Sequence, residues 1–210
     1  SCNCAVLKLS SDPTLTSLPN TIVHEMNGLR ILNIHKCNLT ILPQKLELLE
    51  FISDFQVTYN RLKTFEVDVR EWERLDVLNL MYNSIESYNK EAVWRHSNVG
   101  SLSLSGNQNL QMPSDGIFLP YLNYLHLGDN GHSLPPVFKA SSFPQILYLF
   151  LNGDKLTSFP DSSLNKLIYL GLARCRLTSL PTYLGQFQNL QYLDARDNNL
   201  TFVDSSLRHL

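Results

Sequence analysis

The chain has 210 residues, 43% of them hydrophobic, and carries 17 Lys and Arg against 19 Asp and Glu. That balance leaves no basic excess to neutralise phosphates, so nucleic acid is not an expected partner. The longest apolar run, Ile146–Leu151, falls far short of the roughly 18–20 residues that cross a bilayer, and no direct membrane insertion is expected in this segment.

Taken in chain order, one short pattern recurs. It reads Leu75-x-x-Leu78-x-Leu80-x-x-Asn83-x-Ile85 and again Leu122-x-x-Leu125-x-Leu127-x-x-Asn130. Its central apolar residue falls at Leu7, Leu32, Phe55, Leu78, Leu102, Leu125, Leu149, Leu170 and Leu193, at spacings of 25, 23, 23, 24, 23, 24, 21 and 23 residues. Alternation around each centre predicts a short strand with one inward face, and the near-constant spacing lets each strand pair in parallel with the next. Three residues before the first leucine of the pattern stand Met26, Leu49, Trp72, Leu119, Phe143, Leu164 and Phe187. Three after the last stand Leu42, Phe65, Tyr88, Phe159, Leu180 and Val203. Both series predict an apolar lining on the far side of each coil. His96 interrupts the first series, and Val93 or Trp94 is expected to fill its place. Pro43, Pro113, Pro135, Pro160 and Pro181 fix the exit from the strand side, where no ladder N–H is needed. One such coil buries too little to offset the entropy of ordering it, so stacking is obligatory and both ends need covering.

The ninth position of the pattern is Asn60, Asn83, Asn107, Asn130 and Asn198, whose amides can satisfy backbone groups of adjacent coils. Asp12, Cys37, Asp154 and Cys175 stand there elsewhere, read as small side chains tolerated in the ladder rather than as a metal or redox site. Cys37 and Cys175 are six strand spacings apart, about 29 Å at about 4.8 Å each, far beyond the reach of a disulfide, and are expected to be buried free thiols.

These motifs resemble the leucine-rich-repeat superfamily, and the copies ending in Leu-Thr-x-Leu-Pro resemble its roughly 23-residue class. The resemblance implies an α/β fold: a right-handed curved solenoid with a parallel sheet on its concave side and short helices or turns on its convex side. Residues 1–210 are then one domain of about nine repeats, with 1–5 a partial N-terminal cap and no C-terminal cap. The abrupt opening at Ser1 and the stop at Leu210 in mid-pattern lead us to expect a fragment of a longer protein. Cys2 and Cys4 resemble part of the disulfide-bonded cap of extracellular members, with partners for them expected upstream. Asn38-Leu39-Thr40 and Asn199-Leu200-Thr201 are glycosylation sequons, although the repeat consensus also produces them. Together these features favour an extracellular or cell-surface setting, with a cytoplasmic one as the alternative.

No catalytic constellation stands out: the six histidines show no metalloprotease spacing, and there is no nucleophile elbow or second cysteine pair for zinc. Gly128-Asp129-Asn130-Gly131 has too few carboxylates around it for a calcium loop. No enzyme activity, cofactor or metal is expected. Ligands of this superfamily commonly bind the concave face, which points to the positions between the inward leucines. There the C-terminal half carries Tyr124, Tyr148, Tyr169 and Tyr192 in one row, with Phe150 and His126 beside it, and Asp194, Arg174, Arg196 and Asp197 nearby. Tyrosines there also have a purely supporting role, stacking on one another to stiffen the sheet. The N-terminal half, with Asn33, Gln56, Asn79 and Ser103 at the position of Phe150, reads as polar and featureless. The leading expectation is a non-catalytic module that recognises a protein ligand through this face, a glycan being the other candidate ligand. A self-assembling structural subunit and an intracellular signalling scaffold are the alternatives.

Overall fold

The alternation around each central residue becomes a strand in the computed structural model of the chain, which describes residues 4–114, 116–131, 139–156 and 162–209. In chain order the strands are β1 (Val6–Ser10), β2 (Ile31–His35), β3 (Asp54–Thr58), β4 (Thr64–Phe65), β5 (Val77–Asn79), β6 (Ser87–Tyr88), β7 (Ser101–Ser103), β8 (Tyr124–His126), β9 (Tyr148–Phe150), β10 (Tyr169–Gly171) and β11 (Tyr192–Asp194). Among the described residues, all but β4 and β6 form one nine-stranded parallel sheet whose order follows the chain. Its register pairs Leu7, Leu32, Phe55, Leu78, Leu102, Leu125, Leu149, Leu170 and Leu193 in a single line, the line of central residues read from the sequence. The seven inner members are buried, whereas Leu7 and Leu193, each lacking a neighbour on one side, are only partly so.

The opposite wall is built as the first apolar series predicts. Leu49, Trp72, Leu119, Phe143, Leu164 and Phe187 are buried there, and Met26 packs against them partly covered. Short helices such as α1 (Ile22–Glu25) and α2 (Lys90–Trp94) carry the chain across this side, α2 capped by Asn89, whose side chain accepts from the N–H of Ala92 at 3.1 Å. β4 and β6 add a two-stranded parallel sheet that brings Phe65 and Tyr88 side by side. Tyr88 stands where other coils carry a hydrocarbon because its hydroxyl is used at both ends: it accepts from Trp94 Nε1 at 2.9 Å and donates to the Gln111 carbonyl at 2.9 Å. Burial pushes its pKa up to about 12.

Two expectations change. His96 is itself buried in the series it was expected to break, alongside Val93 and Trp94. Its Nε2 lies 2.9 Å from the Val69 carbonyl and its Nδ1 accepts from Asn98 N–H at 3.1 Å, so a neutral ring with its proton on Nε2 is fully paired. Val203 is 66% exposed, since no further coil lies over it among the described residues. Phe159, Pro135, Pro160 and Cys2 lie outside the described residues.

Polar groups at the turn that follows each strand are satisfied between coils in both directions. Asn60, Asn83, Asn107 and Asn198 each reach back: the side-chain oxygens accept from the N–H groups of Leu39, Leu62, Ile85 and Leu177, and the amide nitrogens donate to the carbonyls of Ile34, Val57, Leu80 and Leu172. Where cysteine replaces asparagine at 175, its thiol donates to the matching carbonyl of Leu151 at 3.2 Å. Burial pushes that thiol up to about 11, which keeps it a donor.

The residue just before the ladder position reaches forward. Ser11, Lys36, Tyr59, Tyr82, Gly106, Asp129, Gly153, Arg174 and Asp197 all have positive φ, between 52° and 82°. The N–H groups of the first eight donate to carbonyls of the next coil at 2.7–3.0 Å. This left-handed turn costs about 1–2 kcal/mol for a residue other than glycine, and the fold accepts that cost in most of its coils.

Asn107 is fully buried and bonded to two coils, so Asn107→Ala orphans the Ile85 N–H and leaves the Leu80 carbonyl with one of its two side-chain donors, Asn83. We expect a loss of about 3 kcal/mol in urea unfolding, against a smaller loss for Asn198→Ala near the end of the stack, where the side chain is half-exposed.

Candidate functional site

The parallel register places Tyr124, Tyr148, Tyr169 and Tyr192 opposite one another across β8 to β11, one residue before each buried centre. Their rings do not form a simple row. Phe150 leans between Tyr124 and Tyr169, at 5.0 Å from the first and stacked at 4.4 Å on the second, and Tyr169 in turn stacks on Tyr192 at 4.8 Å with only 7° between planes. The continuous column is therefore Tyr124–Phe150–Tyr169–Tyr192. Tyr148 is displaced to its side, 6.4 Å from Tyr124 and 37% exposed. The neighbour of Phe150 in β10 is Gly171, where a Cβ would come within 2.9 Å of the Asn152 amide and 3.2 Å of the Tyr169 ring. His126 closes the column at 5.1 Å from Phe150. Tyr192 is 54% exposed, and the inner members are half-buried.

Burial raises the phenol pKa values of Tyr124 and Tyr169 and lowers that of His126, which the nearby Asp129 carboxylate partly offsets. At neutral pH the column is thus uncharged, a set of rings with polar tips. The charges expected on this face are arranged in pairs. Asp194 is buried and clamped by Arg196, with Nε–Oδ1 and Nη2–Oδ2 both at 2.9 Å, and the arginine holds its carboxyl below the usual range. Arg174 Nη2 lies 3.4 Å from Asp129 Oδ1.

A second row went unread in the sequence. At the left-handed positions Tyr59 and Tyr82 stack at 4.4 Å with 21° between planes, His35 meets the edge of Tyr59 at 5.3 Å, and Lys36 Nζ lies 5.7 Å from its centroid. The N-terminal half is polar in the positions first considered, but it is not featureless. Tyr82 then lies over Gly106, where a Cβ would strike its ring, and its hydroxyl approaches Asp129 at 3.5 Å. Asp129 lies over Gly153 in the same way and meets Arg174. Glycine in alternate coils lets a side chain span two coils. The available signal was the recurrence of Tyr59, Tyr82, Gly106 and Gly153 one residue before the ladder position.

At the remaining predicted sites, Asn38 is half-buried with its amide donating to the Pro13 carbonyl at 2.6 Å, while Asn199 is exposed. Of the two cysteines assigned to a cap, Cys2 lies outside the described residues and Cys4 is a thiol that donates to the Val6 carbonyl at 3.1 Å. Cys37 and Cys175 are buried free thiols.

Comparison with known proteins agrees with this geometry. The Leucine Rich Repeat family model matches residues 189–210, the coil of β11. Among solved structures, the plant peptide hormone receptor RGFR1 in complex with RGF2 superposes with a TM-score of 0.74 over 93% of this chain and 32% of that one, at 22% identity. The chain has the fold of a leucine-rich-repeat solenoid. Its curated relatives include the leucine-rich repeat serine/threonine-protein kinase 1 of Mus musculus, 26% identical over 94% of this chain. The leucine-rich repeats and immunoglobulin-like domains protein 3 of Homo sapiens is 28% identical over 83% of it. The solenoid spans only 11% and 16% of those two proteins.

Two outcomes follow for the solenoid. Gly153→Ala introduces a Cβ at φ 82° against the Asp129 carboxylate, whereas Gly131→Ala at φ 75° meets nothing within 4 Å among the described residues. Chemical denaturation should show a loss of about 1–2 kcal/mol for Gly131→Ala and a larger one for Gly153→Ala, the difference reporting the contact that Asp129 makes. His96 and His126 have lowered pKa values in the folded chain, so as pH falls through about 6.5 the unfolded chain takes up protons first. Stability is full above that pH and declines below it, well before the depressed carboxylates of Asp68 and Asp194 are titrated. Calorimetry from pH 7.5 to 5.5 should show a falling Tm, with a shallower fall for His96→Gln.

Proposed function

We propose that this solenoid is a non-catalytic recognition module that holds a protein ligand on the C-terminal half of its concave face. The observation that carries the reading is Phe150. A sheet stiffened by tyrosines has no need of an apolar ring at the centre of the column, yet Phe150 sits there among rings that remain partly open to solvent. Stacked aromatics with polar tips give large contact area at low conformational cost, the composition of interface hot spots. Arg196 stands at the end of the column, with its guanidinium held rigidly by Asp194. The similarity of fold to a receptor solved with a bound peptide hormone supports a polypeptide as the ligand.

We further propose that residues 1–210 form one domain working outside the cell, as part of a longer protein. The cysteine pair Cys2 and Cys4 and the sequons at Asn38 and Asn199 support this setting, as does the relationship to a protein that combines leucine-rich repeats with immunoglobulin-like domains. Asn199, being exposed, is the better glycan acceptor of the two.

Peptides selected from a displayed library on the wild-type chain provide the test. The double variant Tyr148→Ala, Phe150→Ala should weaken the selected peptides at least tenfold while Tm changes little. Unchanged binding accompanied by a large drop in Tm assigns the column a supporting role and removes the proposal.

A further inference from the structure

The left-handed row described above forces a backbone conformation, not a side chain. Glycine or aspartate fills it at Gly106, Gly153, Asp129 and Asp197 with little or no strain. Tyrosine is among the bulky residues for which positive φ is an outlier, and the chain places one there in two consecutive coils. Tyr82 has an evident use within the fold, since it bridges Gly106 towards Asp129. Tyr59 has none of that kind. It is 44% exposed, and its neighbours on the side away from Tyr82 are the ring of His35 and the ammonium of Lys36. A large ring kept at a strained position and left open to solvent marks a place for a contact outside the chain.

The charge around it identifies the kind of contact. Lys36 and Arg61 are both exposed, and among the described residues neither has a carboxylate within 4 Å. Carboxylates on these and the adjacent coil are already engaged: Asp54 accepts from Gln56 Nε2 at 2.9 Å, and Asp12 accepts from Thr14 Oγ1 at 2.6 Å. An open aromatic pair flanked by unpaired cations is complementary to an anionic partner that also carries apolar or aromatic side chains. We propose that the rim formed by His35, Lys36, Tyr59 and Tyr82 is a second binding surface, separate from the aromatic column, and that it takes an acidic segment of a partner protein. A polypeptide fits better than a sulfated polysaccharide because Tyr59 and Tyr82 stack on each other, which hides one face of each ring from a sugar.

Asparagine tolerates the left-handed region, so Tyr59→Asn and Lys36→Asn remove the side chains without straining the turn. The probe is poly(Glu-Tyr), an acidic polypeptide bearing aromatic rings, titrated by surface plasmon resonance against the protein at low and moderate salt. Wild type is expected to bind, more weakly as salt rises, and each variant to bind at least tenfold more weakly with a Tm equal to or above that of wild type. Tyr148→Ala with Phe150→Ala, at the other site, is expected to leave this binding unchanged, so the two surfaces stand or fall separately. Absence of binding at low salt, equal binding by Tyr59→Asn, or binding of a heparin oligosaccharide in place of poly(Glu-Tyr) overturns the proposal.

Discussion

Everything in this molecule depends on how the chain turns out of each strand. A strand followed at once by a reversal leaves N–H and C=O groups where water cannot reach them, and an orphaned buried group costs as much as a lost hydrogen bond. Here the left-handed residue sends its N–H forward to the next coil and the asparagine beside it sends its amide back to the previous one. A coil satisfies only part of its own turn. The first described coil makes the point by contrast: Asp12, with no earlier coil to bond among the described residues, turns its carboxylate on to the N–H and hydroxyl of Thr14 in its own turn. Leu7 and Leu193 lose part of their cover for the same reason.

Because backbone geometry and the ladder position fix the turn, the side chain at the left-handed position is left free to vary. Serine, lysine, tyrosine, glycine, aspartate and arginine all occur there. The concave positions have a similar freedom, since only their neighbours on either side face the core. The solenoid therefore offers two parallel rows of adjustable side chains on a frame that the adjustment does not disturb. Gly106 and Gly153 show how the row at the turn is tuned: leaving out one side chain decides where the ring or carboxylate of the adjacent coil lies.

The register was fully legible in the sequence because burial enforces it: a shift of one residue turns every inward leucine to solvent. The far wall was legible for the same reason, down to Trp72 and Phe187. His96 was misjudged because residue type alone reads as polar, whereas two fixed backbone partners make the neutral ring as acceptable there as a hydrocarbon. Val203 was assigned to a wall that needs a neighbouring coil to exist. The tyrosines of the concave face were visible as a row, but their true order, with Phe150 inserted and Tyr148 set aside, depends on ring packing that spacing does not encode. The rim was missed altogether. The sign of φ has no signature in hydrophobic pattern, and a position that accepts lysine, tyrosine and glycine alike looks random until the backbone is known.

Support and recognition are often treated as rival explanations for stacked aromatics, and here they are compatible. Rings that hold one another in place have already lost the rotamer freedom that binding would otherwise cost, so a column that supports itself is also preorganised. Tyr169 and Tyr192, 7° from parallel, are fixed by each other, and Arg196 is fixed by a buried carboxylate. Such a surface yields most of its contact energy to a partner instead of spending it on ordering itself. The same logic extends to the rim, where Tyr59 is held by Tyr82 and Tyr82 by its seat over Gly106. A chain of contacts anchored in the turns of the solenoid thus ends in a side chain that is rigid and still open to solvent.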